Sequence, residues 1–116
     1  MATIVKQELS GSTDGRPIQL SNSGMTTIHA AQAGNSDNNY DEIWAYATNV
    51  TTAAVSIEIE FGNTASSDNI FVTIPPKQGL MQIIPGLVLN NSATFKAQAD
   101  AATAVNIVGY VNKITS

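Results

Sequence analysis

Apolar and polar residues alternate without a break from Val55 to Phe61. Val55, Ile57, Ile59 and Phe61 fall on one side, and Ser56, Glu58 and Glu60 fall on the other. Strand side chains repeat their direction every two residues, so the pattern predicts a strand with one face in a core and one in water. A helix does not fit, because it would place Glu58 beside Phe61 on a single stripe. The same grammar recurs along the chain. Ile70, Val72 and Ile74 alternate with Phe71 and Thr73 ahead of Pro75-Pro76, and Phe95, Ala97 and Ala99 alternate with Lys96 and Gln98. Ala104 to Ile114 reads as a long closing strand, in which Gly109 predicts a bulge or a close backbone approach.

Weaker segments complete the pattern. Ile4 to Leu9 reads as a short strand or extended arm, Pro17 to Leu20 as a brief edge strand, and Met25 to Ala31 as a β-branched strand. Leu80 to Ile84 reads as a strand ended by Pro85-Gly86. Tyr40 to Asn49 is different, with Trp44 and Tyr46 on one face and Ile43, Ala45 and Ala47 on the other. Both faces are apolar, which predicts a central strand covered by the opposing sheet on one side and by a partner or loop on the other. Val50-Thr51-Thr52 is read as the turn of a hairpin joining Ile43–Ala47 to Val55–Phe61. Asp100 to Val105 has helix-forming alanines but is too short to stand as a helix. About eight strands with turn signals every 8–12 residues predict an all-β, single-domain β-sandwich, jelly-roll-like. Residues 1–20 are expected to form an extended N-terminal arm with an edge strand, and 21–116 the sandwich.

Composition adds a tendency to associate. Charged residues make up 12% of the 116 positions, against about 25% in an ordinary domain. Ser, Thr, Asn, Gln and Ala take their place, giving a polar but neutral surface that costs little to desolvate against a partner. The net charge is −4, and Lys6, Arg16, Lys77, Lys96 and Lys113 form no basic cluster in the sequence. Direct nucleic-acid binding is therefore not expected. Cysteine is absent, which excludes disulfides and thiolate metal sites. The opening residues lack the apolar core of a signal peptide, and no apolar run is long enough to cross a bilayer, so no membrane partner is expected.

Reactive chemistry is scarce. His29 is the single histidine and stands among Thr27, Ile28 and Ala30, which favours a structural role over a ligand or a base. Glu58 and Glu60 point the same way from one strand, and paired carboxylates can hydrolyse a glycoside when they flank the sugar. Without aromatic platforms around them, they read as a solvated strand face. Asp37, Asp41 and Glu42 flank a polar loop and are the candidate ligands of a calcium ion, although their spacing matches no known calcium loop. No serine lies in a nucleophile motif, and no phosphate or dinucleotide fingerprint occurs. No catalytic, cofactor-binding or metal residue is assigned, and an enzyme is not expected.

Segments across nearly the whole chain carry a family resemblance. They are Thr3-Ile4-Val5-Lys6-Gln7, Gly11 to Ile18, Thr27-Ile28-His29, Asp41 to Asn49, Ile74-Pro75-Pro76, Pro85-Gly86-Leu87 and Val108 to Asn112. In these the chain resembles small structural proteins of tailed-bacteriophage virions, of the capsid decoration or cement kind. The resemblance implies a β-sandwich that forms a homotrimer on the outer capsid surface after synthesis in the host cytoplasm. There it would clamp neighbouring major capsid protein subunits, with the segment up to Leu20 reaching onto the capsid or a neighbour. Two other readings fit the same residues. One is a tail, baseplate or connector component. The other is a carbohydrate-binding module that stacks sugars on Trp44 and Tyr46.

Overall fold

A computed structural model of the chain describes residues 2–34 and 38–116. The described residues form nine strands: β1 (Thr3–Glu8), β2 (Ile18–Gln19), β3 (Thr26–Ala30), β4 (Tyr40–Asn49), β5 (Val55–Gly62), β6 (Asn69–Ile74), β7 (Met81–Leu89), β8 (Thr94–Ala99) and β9 (Val105–Thr115). A short 3-10 turn, Ser66–Asp68, sits between β5 and β6. Among the described residues no helix is long and apolar enough to cross a membrane.

The strands make two antiparallel sheets, ordered β1-β9-β4-β7 and β3-β8-β5-β6. β2 also pairs with β9, along Ile107 and Asn106, while β1 pairs with the other half, from Tyr110 to Thr115. The two thus share one ladder position, leaving eight positions in two layers. The chain changes layer at every step after β2 except between β5 and β6, and that order is a jelly roll. The protein is the all-β sandwich that its alternation predicts.

The inward set of each strand supplies the core. Ile43, Ala45 and Ala47 of β4 face it with Ile57 and Ile59 of β5, Phe95 and Ala97 of β8, and Ile107 and Val111 of β9. Each fully buried large side chain contributes about 1.5–3 kcal/mol of transfer free energy. The first twenty residues take part in the same core, since Leu9, Ile18 and Leu20 are buried in it. β1 itself is exposed on both faces and overhangs the sandwich along the distal half of β9.

Two sequence expectations need correction. β4 and β5 do not form a hairpin: β4 pairs with β7 and β9, and β5 with β6 and β8. Both strands bury one apolar set against the same core, so the connection between them must carry the chain from one layer to the other. Asn49 holds that crossover. Its Nδ2 donates to the carbonyls of Ala53 and Ile74, and its Oδ1 accepts from the Thr51 N–H. Nor does Pro85-Gly86 end a strand. β7 runs through it, because an edge strand tolerates a missing donor on its open side. The ladder absorbs the irregularity with two register shifts against β4.

Gly109 lies in register opposite Ala45, without a shift in the β4–β9 ladder. It marks a close approach rather than a bulge: a Cβ there would overlap the Trp44 carbonyl oxygen and lie 2.9 Å from the Ala45 Cα. Gly109→Ala should therefore cost about 2–3 kcal/mol in urea unfolding. Gly79→Ala, where a Cβ meets nothing within 4 Å, should change stability by less than about 0.5 kcal/mol. Equal effects would refute the close approach.

Candidate functional site

The outward face of the β1-β9-β4-β7 sheet gathers the chain's unusual side chains. On β4 it presents Glu42, Trp44, Tyr46 and Thr48. On β9 their directly opposed partners are Asn112, Tyr110, Val108 and Asn106. Directly opposed residues of an antiparallel pair share a face and touch. Trp44 and Tyr110 accordingly stack, with ring centroids 6.4 Å apart and planes at 15°. Such a pair adds about 0.5–1.5 kcal/mol beyond its area. The Lys6 ammonium, from β1, sits over the Tyr110 ring at 4.3 Å from its centroid. On the other side the indole leans over β7, where a Cβ on Gly86 would come within 2.7 Å of Trp44 Cζ2. Gly86 also has φ +77°, so only glycine suits that position. A row Lys6–Tyr110–Trp44–Gly86 therefore crosses four strands.

Glu42 anchors the row. Trp44 Nε1 donates to its Oε1 at 2.8 Å, and Asn112 Nδ2 donates to the same oxygen at 3.0 Å. These two donors, Trp44 first and Asn112 second, hold the Glu42 carboxyl below its ordinary range against a smaller opposing effect of desolvation. Tyr110, Trp44 and Gly86 are half-buried while Lys6 is exposed, and the indole N–H is engaged by Glu42, so the centre of the row is held in place.

A second polar cluster lies where the β1 overhang meets β3. His29 is buried. Its Nδ1 accepts the Ser10 backbone N–H at 3.0 Å, so the ring proton is on Nε2, which donates to Asp41 Oδ2 at 2.6 Å. Gln32 Nε2 donates both to Asp41 Oδ1 and to the Ile114 carbonyl. An open cleft of about 520 Å³ adjoins this cluster, lined by Gln7, Glu8, Ser10 and Lys113 among others. Neither imidazole nitrogen is left to take a proton from a bound molecule. The cluster ties the chain after β1 to β3, β4 and β9.

The other sequence candidates do not converge. Asp41 points to the core side of β4 and Glu42 to the outer side, because they are neighbours on one strand. Asp37 lies outside the described residues. Among the described residues no group of three or more His, Cys, Asp or Glu side chains could hold a metal ion. Glu58 and Glu60 occupy the outer face of the other sheet. Glu58 lies opposite Phe71 and Gln98, and Glu60 opposite Asn69 and Lys96. Both carboxylates project from one strand, so they do not face one another across a shared cavity. Tyr110 and Lys6 were invisible as site residues in the sequence, since only the ladder registers bring them to Trp44.

No family model matches this chain, and no curated protein or solved structure matches it.

The depressed Glu42 carboxyl carries a pH signature. A group whose folded pKa lies below its unfolded one stabilises the fold above the unfolded value, about 4.3. That contribution is lost as pH falls through the lowered value. Glu42→Gln should therefore be less stable than the wild type in urea at neutral pH, with the gap narrowing in acid; a constant gap would dismiss the linkage. His29→Ala should cost on the order of 3 kcal/mol, because it leaves the buried Asp41 carboxylate and the Ser10 N–H short of partners. An unchanged urea midpoint would show that the cluster pins nothing.

Proposed function

We propose that this chain is a capsid decoration protein that docks on the outer face of a bacteriophage head and clamps neighbouring major capsid subunits, working as a homo-oligomer. The observation that carries the reading is the outer face of the β1-β9-β4-β7 sheet. It is broad and weakly charged, with an aromatic centre already fixed by its own contacts. Docking such a surface on a flat protein partner loses little side-chain entropy. Aromatic anchors in a neutral surround are the usual energetic centre of a protein interface. The jelly-roll order and the sparse charge suit a module whose effect accumulates over many copies. Catalysis has no support in this reading, since His29 spends both nitrogens on the fold.

Trp44, Tyr46 and Tyr110 on one flat face also favour a second reading, a carbohydrate platform. Sugar stacking needs an open ring face. Tyr110 instead carries Lys6 over its ring and Trp44 beside it, which weighs toward the protein partner.

Co-sedimentation with purified heads of the bacteriophage proposed to encode this chain, prepared without it, tests the proposal. The wild type should bind. Trp44→Ala should lose at least about tenfold in affinity while keeping the wild-type circular dichroism spectrum. Failure of the wild type to bind heads overturns the reading. Binding to purified tails or baseplates would move the chain to the tail, and binding on a glycan array that Trp44→Ala abolishes would favour the sugar platform.

A further inference from the structure

The free edges of the two sheets are not built alike. β7 carries Pro85 and two register shifts against β4, and β3 has a shift between Thr27 and His29. β1 carries Lys6 and Glu8. Bulges, prolines and charges are the devices that keep an edge strand from pairing with another chain. β6 has none of them. Its six residues, Asn-Ile-Phe-Val-Thr-Ile, make six unbroken pairs with β5 and include no charge, glycine or proline. β6 is the last strand of its sheet, so its far side faces no ladder. On it Phe71 is 69% exposed, and Leu80, Leu87 and Val88 of the following linker and edge strand are exposed as well. Uncharged segments of this length and β-propensity pair readily wherever their edge is open.

We propose that β6 is a homodimerisation strand, joining two copies antiparallel across a two-fold axis at Phe71. The occupant is a second copy because the strand complements itself. Directly opposed residues must share a face, which fixes the choice of registers. With the axis at Phe71, the two Phe71 rings meet on the outer face. Ile70 then lies against Val72 of the second copy, and Asn69 against Thr73. No like charges oppose, and the apolar inner side continues from one sandwich into the next. An axis at Val72 is poorer, because it would spend pairs on Ile74, whose carbonyl already accepts from Asn49, and on Pro75, which has no N–H to give. The two-fold closes on itself and leaves one eight-stranded sheet with β3 at both ends. This inference needs no partner but the chain, and it gives the homo-oligomer of the capsid reading two copies in place of the three that the resemblance implies.

Light scattering on the full chain should give twice the 12.2 kDa chain mass. The chain has no cysteine, so a single introduced one reports the register. Phe71→Cys should join two copies under mild oxidation, because opposed Cα atoms lie about 4.5–5.5 Å apart. Thr73→Cys should not, because its counterpart lies four residues along, about 13 Å away. Phe71→Lys sets two ammonium groups on the axis and should give a monomer with the wild-type circular dichroism spectrum. A monomeric wild type, a trimeric mass, a dimer that survives Phe71→Lys, or equal cross-linking by Thr73→Cys would each overturn the proposal.

Discussion

β4 and β9 run side by side for ten pairs, from Tyr40 opposite Ile114 to Asn49 opposite Val105, with no break in register. Ile43 against Val111 and Ala47 against Ile107 thereby close the core side. Trp44 against Tyr110 and Glu42 against Asn112 build the outer side. A slip of one residue would exchange the two faces. It would also carry Gly109 away from the place where the Trp44 carbonyl leaves no room for a side chain. β1 and β7 pair with these two strands, so the placement of Lys6 and Gly86 follows from the same ladder.

The open side of the sandwich has a different solution. β1 lies beyond the opposing sheet, and burial of its own side chains does not hold it. What fixes it, besides its ladder with β9, is the chain just after it: Leu9 in the core, and Ser10 bonded to His29 and Ala30. The buried His29–Asp41 pair extends that hold to β4, and Gln32 extends it to β9. Such a pair adds little net stability compared with apolar packing, but breaking it is costly. Its effect is to specify how the two layers meet at an edge where few apolar contacts could.

The β4–β9 ladder produces a surface, while the His29–Asp41 pair borders an open cleft. The polar side chains carry architecture: His29 and Asp41 join layers, Glu42 steadies an indole, and Asn49 guides a crossover. What remains outward is a stiff, weakly charged face on one sheet and an unguarded strand at the edge of the other. That division suits the two proposals made above, docking on a larger partner and pairing with a second copy.

Much of this was legible in the sequence because strand alternation is local. Val55–Phe61 and Phe95–Ala99 each announce their inward residues, and turn-forming residues mark most of their ends. The two-sided apolar pattern at Trp44 likewise marked β4 as central and its outer face as unusual. Pairing is not local. Nothing in the chain says that Val50–Thr52 crosses between layers instead of closing a hairpin, or that a strand continues through Pro85. Where one face of a strand is polar, the sequence alone determined which residues point inward, because that periodicity is written in consecutive positions. Only the tertiary structure decided that Lys6, Tyr110 and Trp44 share a row and that His29 finds Asp41. Those meetings depend on ladder registers and layer order, which the whole core sets at once.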